Sequence, residues 1–304
     1  MELADRAYSD LMKELWGSPA VWNMKKTYVD IARKLGVDEE TVRNRIKSMK
    51  EGGFLLGWIL HPNPALLSRK SVFIFLSFDS QEAKESAIPG LAGIAGVAVI
   101  ASFYGKDVLV TLYDDEEHSA TRETTKKMGN GAHVLTSPGM TLPPPLPIKL
   151  TPTDWKIMGL LIRNAEKDAS EIARELKLST RTVNRRLNSM MQARAIFITP
   201  LVNVKTGGGI SYQLIVRTKK EKRSLVEDLI ASRVSNLVFR AGMPEGGLIF
   251  GFRGLNIAEG NDLLKWAKKL EGVTSAKINI IEDVVHVFDW LEREVNRHAM
   301  VDTT

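Results

Sequence analysis

The feature that most constrains the fold of this chain is an internal repeat. Residues 27–55 read TYVDIARKLGVDEETVRNRIKSMKEGGFL, and residues 168–196 read DASEIARELKLSTRTVNRRLNSMMQARAI. Without a gap, the two segments are identical at nine positions, which include Ile31 and Ile172, Arg45 and Arg186, and Met49 and Met190. Equivalent residues are 141 positions apart throughout, a spacing that is too long for a solenoid and predicts a duplicated domain or pair of domains.

The second copy begins with the signals of a helix N-terminus. Thr151-Pro152-Thr153-Asp154 supplies a capping hydroxyl, a proline in the first turn and an acidic side chain. This pattern predicts a helix to about Ile162, followed by a short helix over about 170–176, a turn over 177–179 and a third helix. The third helix has Val183, Leu187 and Met190 at helical spacing. Two helices joined by a three-residue turn are typical of a helix-turn-helix.

The first copy predicts the same arrangement. Its leading helix covers about 3–15, its turn is Gly36-Val37-Asp38, and its apolar positions are Val42, Ile46 and Met49. A strand-like run follows each third helix, over 54–60 and 196–204, and we interpret it as the start of a wing or as a strand that leads onward.

The remainder of each copy predicts the element order β-α-β-β-α-β, which is ferredoxin-like. The predicted elements are 71–78, 81–91, 97–103, 108–113, 116–128 and 133–136 in the first copy, and 210–217, 222–232, 237–241, 248–252, 258–270 and 273–281 in the second. A last amphipathic helix is predicted over about 284–297.

These elements predict an α+β fold made of two repeats of a winged helix-turn-helix followed by a ferredoxin-like βαββαβ domain. The predicted domains are winged helices at 1–62 and 148–205 and ferredoxin-like domains at 63–137 and 206–304. Residues 138–147 lie between the copies and contain five prolines, which predicts a stiff, extended linker.

With this organisation, and with the tract EIARELKLSTRTVNRRLNSM, the chain resembles the Lrp/AsnC family of prokaryotic regulators. The resemblance implies a sensing domain that pairs subunits and often binds an amino acid near a Gly…Asp turn, for which Gly105 and Asp107 are the candidates in the first copy. The second copy has no aspartate in its corresponding turn, 242–247. The tandem arrangement suggests an internal pseudo-dimer, or a homo-oligomer formed through the sensing domains.

The third helices carry the residue types that bind DNA. Cations bind phosphates, whereas arginine and asparagine pair with the edges of guanine and adenine. The candidate DNA-binding residues are Arg43, Lys47 and Lys50 in the first copy, and Thr180, Arg181, Asn184, Arg185 and Asn188 in the second. The acidic start of the first third helix, Asp38-Glu39-Glu40, predicts that the two copies contact DNA unequally. Arg45 and Arg186 border the apolar positions, where we expect each to hold a carboxylate or a phosphate.

Other site types find little support in the sequence. The chain has no cysteine, and its formal net charge of +6 is compatible with a polyanionic partner. Its histidines lack metal-ligand spacing, apart from a weak grouping of Glu282, His286 and Asp289, which could converge on one helical face. We therefore predict no metal and no cofactor. The acidic N-terminus and the lack of an apolar stretch of about 20 residues predict a cytoplasmic protein with no membrane partner.

Together these observations predict a sequence-specific transcription regulator that binds double-stranded DNA, responds to an amino acid or another small molecule, and is not an enzyme. One alternative is an enzyme like the siroheme decarboxylases, which are built on the same modules. Such an enzyme would need histidine and arginine in a large pocket, and the only histidine in the predicted sensing strands is His133. The other alternative is a protein–protein adaptor.

Overall fold

Both copies fold into the predicted series of helices and strands. The computed structural model describes residues 6–16, 28–128, 131–139, 142–206, 208–234, 237–243, 246–254 and 256–300. The predicted start of the first helix, the connection at 17–27, and parts of the linker and of the 242–247 turn lie outside these residues. No helix within them is long and apolar enough to cross a bilayer.

The first head comprises α1 (Arg6–Trp16), α2 (Tyr28–Leu35) and α3 (Glu39–Glu51). Asp38 caps α3, because its carboxylate accepts a hydrogen bond from the Thr41 backbone N–H at 2.6 Å. The predicted apolar residues of α3 are buried against α1 and α2. The turn between α2 and α3 contains Gly36, whose φ of 64° favours glycine.

The second head comprises α6 (Pro152–Leu161), α7 (Ala169–Leu176) and α8 (Thr180–Gln192). Ser179 caps α8 by accepting a hydrogen bond from the Thr182 backbone N–H at 3.1 Å. Arg186 donates to the buried carboxylate of Asp154 at 2.9 Å, so this arginine holds a carboxylate as predicted. This interaction connects α8 to α6, the first helix of the same head. We call α8, and the equivalent helix α3 of the first head, the recognition helices.

The rest of each copy is a ferredoxin-like domain, as predicted. In the first copy the elements are β2 (Lys70–Phe78), α4 (Gln81–Ala92), β3 (Val97–Phe103), β4 (Asp107–Asp114), α5 (Ser119–Met128) and β5 (Ala132–Pro138). In the second they are β7 (Ile210–Thr218), α9 (Arg223–Arg233), β8 (Leu237–Gly242), β9 (Gly247–Gly254), α10 (Ile257–Ala267) and β10 (Val273–His286). Each copy arranges its strands in the order fourth, first, third, second.

The predicted last helix was wrong in its first turn. Strand β10 continues to His286, and α11 (Asp289–Met300) begins after it. Val284 and Val285 pair with Ala101 and Ile100 of β3, an arrangement that suits β-branched side chains. The predicted grouping of metal ligands is therefore not formed on a helix, because Glu282 and His286 belong to β10 and Asp289 begins α11.

Strands from the two copies pair with each other inside one chain. β1 (Leu55–Pro62) and β6 (Ile196–Val202) form an antiparallel ribbon, so the strand that follows each third helix pairs with its counterpart in the other copy. The end of β10 pairs with β3, which joins the two ferredoxin-like sheets. Where the sheets face each other, Phe73, Phe103 and Leu109 pack with Met243 and Ile249.

The heads also pack across the copies. The core of the second head is continuous with that of the first ferredoxin-like domain and with α11. Trp290 of α11 lies edge-on to Tyr113 of the first copy, with ring centroids 6.0 Å apart, while His298 stacks on Trp155 at 4.5 Å. The linker is docked as well, since Asn63 donates to the Pro143 carbonyl at 3.0 Å and the Leu146 N–H donates to Ala193 at 2.8 Å.

A buried ion pair strengthens the joint between the copies. Lys84 of α4 is fully buried, and its ammonium donates to Glu282 of β10 at 2.6 Å and to the Phe103 carbonyl at 2.8 Å. Ser102 also donates to Glu282 at 3.0 Å. The hydrogen bond from Lys84 lowers the pKa of Glu282, with Ser102 contributing, although partial burial opposes the shift. The neighbouring pair, Lys205 and Asp283, is exposed.

We predict that Glu282→Gln lowers the free energy of unfolding by about 3–5 kcal/mol, because it leaves the Lys84 ammonium buried without a counter-charge. Asp283→Asn, the matched control on the adjacent residue, should change it by less than about 1 kcal/mol. Urea unfolding near neutral pH measures both. The pKa of Glu282 is lower in the folded state than in the unfolded state. Its carboxylate therefore contributes fully to stability above the unfolded pKa, and this contribution is lost as the pH falls through the folded pKa. Equal effects of the two substitutions would contradict the prediction.

Candidate DNA interface and interdomain cavity

The exposed face of α8 carries all five candidate residues of the second copy. Thr180, Arg181, Asn184, Arg185 and Asn188 are each exposed. Neither arginine forms an ion pair within the part of the chain that the structure describes. This face therefore presents two guanidinium groups and two amides that remain available to an external polyanion.

The corresponding face of α3 is already neutralised by carboxylates. Arg43 pairs with Glu39 at 2.6 Å, and its guanidinium lies 4.9 Å from the Tyr28 ring centroid. Lys47 approaches Glu51 at 3.7 Å, and Lys50 reaches Glu166 of the second copy at 2.5 Å. The two recognition helices thus share a fold but differ in the charge that they offer.

The candidate effector turn lies between β3 and β4. Gly105 has a φ of 90°, and Asp107 accepts hydrogen bonds from Ser77 at 2.7 Å and from Lys277 of the second copy at 2.5 Å. The Asp107 carboxylate is therefore engaged in a contact between the copies. An effector at Gly105 and Asp107 stays a prediction.

A cavity of about 230 Å³ lies between the two ferredoxin-like sheets and the β1–β6 ribbon. Its walls come from β2, β3 and β4 of the first copy and from β7, β9 and β10 of the second. Leu142 of the linker and Phe54, which follows α3, complete it. The lining is mostly aliphatic and aromatic, so the polar groups within it are few.

Two histidines line this cavity. Burial lowers the pKa of His61 to about 3, with a further contribution from His286, and burial lowers the pKa of His286 to about 4. Both imidazoles are therefore neutral near pH 7. Each has a buried Nδ1 atom without a hydrogen-bond partner among the described residues. Buried polar atoms in native proteins normally have a partner.

Arg253 is the cation of the cavity lining at neutral pH. It is 5% exposed, and burial lowers its pKa to about 10. Its guanidinium donates to the Ser211 hydroxyl at 2.9 Å and to backbone carbonyls of residues 204, 206 and 208, and it lies 4.9 Å from the Phe54 ring centroid. No carboxylate in the described residues pairs with it, and its Nε atom is buried without a partner.

Sequence reasoning missed His61, His286, Arg253 and the buried Gln213. A signal for two of them was present: Arg253 interrupts the otherwise apolar strand GLIFGFRG, and Gln213 lies within a strand that is buried on both faces. The histidines had no such signal, because His286 falls in the predicted last helix and His61 lies just beyond the predicted strand 54–60, whose partner was unknown. Within the described residues, no three histidine, aspartate or glutamate side chains are arranged to hold a metal ion.

Comparison with known families identifies the second head. A model of winged helix-turn-helix DNA-binding domains matches residues 150–196. The HTH-type transcriptional regulator Ptr1 of Methanocaldococcus jannaschii is 40% identical over 52 residues, which are 17% of this chain and 35% of that regulator. The chain therefore contains a winged helix-turn-helix DNA-binding domain. This match confirms the predicted winged helix-turn-helix of the second copy.

Among solved structures, the siroheme decarboxylase NirDL is similar over almost the entire chain. Its TM-score is 0.56 at 14% sequence identity, covering 96% of this chain and 97% of that one. LrpC of B. subtilis has a TM-score of 0.36 at 17% identity, and the likeness covers 45% of this chain and 96% of that one. The prediction that this chain is not an enzyme is contradicted by the first likeness, because an enzyme has the same two-copy fold.

The two histidines of the cavity lining predict a specific loss of stability in mild acid. Below the unfolded pKa of about 6.5, the unfolded chain binds protons at His61 and His286 that the folded chain does not bind. The free energy of unfolding should therefore fall as the pH drops towards 4, with each histidine contributing on the order of 1.4 kcal/mol per pH unit. Urea unfolding at several pH values measures this slope.

The double variant His61→Gln, His286→Gln should flatten that dependence. His118→Gln, which changes a side chain that is 69% exposed, is the matched control and should retain it. If the double variant keeps the slope of the unmodified chain, the two imidazoles are not the source of the acid sensitivity.

Proposed function

We propose that this chain is a transcription regulator that binds double-stranded DNA sequence-specifically, mainly through α8 of the second copy. The observation that carries the proposal is the exposed face of α8, where Arg181 and Arg185 have no ion pair within the described residues. Between and beside them, Asn184 and Asn188 offer the amide groups that pair with adenine.

The start of α8 supports the same role. Thr180 and Arg181 form its first turn, which contains no acidic residue, and the N-terminus of a helix favours a nearby phosphate. By contrast, α3 begins with Glu39 and Glu40 behind the Asp38 cap, and these carboxylates repel a phosphate backbone. We therefore assign α3 a weaker contact with DNA. The cations of α3 must break their ion pairs with protein carboxylates before they bind phosphates.

A second candidate function is an enzyme that acts on a ligand inside the interdomain cavity. It is favoured by the full-length likeness to NirDL and by the two neutral imidazoles, which are suitable ligands for iron. The fit to siroheme itself is poor. That molecule carries acetate and propionate groups around its rim, whereas Arg253 is the one side chain with a fixed positive charge among the described lining residues.

The DNA assignment predicts unequal effects of equal charge changes. With a duplex selected from a random pool by the intact chain, Arg181→Ala combined with Arg185→Ala should reduce the slope of log affinity against log salt by about 0.9 per lost phosphate contact. The matched control, Arg43→Ala with Lys47→Ala, removes the same charge from α3 and should change the slope less. Fluorescence anisotropy over a range of salt concentrations measures both.

Base reading is tested separately. Asn184→Ala with Asn188→Ala should reduce discrimination between the selected duplex and a scrambled one by about 1–3 kcal/mol for each base contact. Absence of duplex binding by the intact chain at low salt would refute the regulator assignment. Equal losses from the α8 and α3 variants would refute the assignment of α8 as the main reader.

The enzyme candidate is tested by titrating the chain with siroheme and with iron-uroporphyrin while recording visible absorption. We expect no saturable shift, because Arg253 is the one fixed positive charge among the described lining residues, whereas each of these molecules carries several carboxylates. A saturable shift that is lost in His61→Ala and in His286→Ala would instead support the enzyme and assign the two imidazoles to the iron.

A further inference from the structure

The interdomain cavity contains an uncompensated positive charge beside a large apolar surface. Arg253 is 5% exposed, and no carboxylate among the described residues neutralises it. Its hydrogen bonds to Ser211 and to backbone carbonyls orient the guanidinium but leave the net charge in place. Burying a cation without a counter-charge is unfavourable, so an anion that enters this cavity would gain from it.

Four of the residues that line the cavity have a buried polar atom without a hydrogen-bond partner among the described residues. These atoms are Arg253 Nε, Gln213 Oε1, His61 Nδ1 and His286 Nδ1. Gln213 and Ser211 occupy alternate positions of β7, and Ser211 is paired with Arg253 of β9, so Gln213 and Arg253 belong to one sheet face. One wall of the cavity is therefore polar and carries a single fixed positive charge.

The remaining walls are apolar. Phe73 and Tyr113 of the first copy contribute aromatic side chains. Leu109, Ile249 and Ile281 add aliphatic surface. Burying the hydrocarbon of a ligand against such walls is favourable. Burying a further charged group there is unfavourable, because the charge loses its hydration.

From this combination we infer that the cavity is a binding site for a small apolar monocarboxylate. Its carboxylate is held by Arg253 against β7 and β9, and its hydrocarbon body lies among the aromatic and aliphatic residues between the sheets. One negative charge on the ligand matches the one fixed positive charge of the lining. This ligand class differs from polycarboxylate tetrapyrroles, and the inference does not depend on the DNA-binding role of α8.

Three probes of one chain length separate charge from apolar burial. Decanoate carries the carboxylate, 1-decanol has the same body without charge, and decylamine reverses the charge. By isothermal titration calorimetry on the intact chain, decanoate should bind saturably at one site. Decanol should bind about tenfold more weakly or worse, since it loses a charge-assisted hydrogen bond, and decylamine should not bind.

Variants locate the site. Arg253→Met should lower decanoate affinity at least about tenfold, whereas Arg217→Met, which removes an exposed arginine from β7, should leave it unchanged. Ala101→Phe fills the cavity with Arg253 intact and should abolish binding. If Arg253→Met fails to fold, the three probes and Ala101→Phe still decide. Equal affinities for decanoate and decanol, no decanoate binding, or binding that survives Ala101→Phe would each overturn the inference.

Discussion

The hydrogen bonds between β1 and β6 bring together the two points at which the chain leaves its recognition helices. Because β1 follows α3 and β6 follows α8, this ribbon fixes the separation of the heads in a way that a flexible connection could not. The pairing of β10 with β3 and the buried contact of Lys84 with Glu282 then hold the ferredoxin-like sheets against each other. Since each head also packs on elements of the other copy, neither copy is a self-contained unit.

The two copies share a fold, but their recognition helices differ in charge. The packing of the two copies against each other brings Glu166 of the second copy to Lys50 of α3. Carboxylates within α3 form ion pairs with Arg43 and Lys47. On α8 the equivalent region has no carboxylate in its first turn. A chain with two recognition helices of unlike charge can contact two unlike half-sites, which a symmetric dimer of identical subunits does not require.

The cavity is a consequence of the joint between the copies. Two sheets that face each other meet closely around Phe73, Phe103 and Ile249, but they leave space near the ribbon, where His61, His286 and Arg253 converge. Polar atoms buried there without a hydrogen bond reduce stability, because each costs about 1–3 kcal/mol. A bound carboxylate would supply the acceptor that Arg253 Nε–H lacks.

The sequence by itself determined the duplication, the helix-turn-helix units, the ferredoxin-like order of elements and the unequal charge at the starts of α3 and α8. These properties depend on local spacing and capping, which neighbouring residues encode. Only the tertiary structure decided the pairing of β1 with β6, the extension of β10 to His286 and the cavity between the sheets. His61 and His286 are 225 positions apart, and Arg253 lies on a third strand. Their proximity depends on which strands pair across the copies, and strand pairing over such separations is set by packing and register rather than by local sequence.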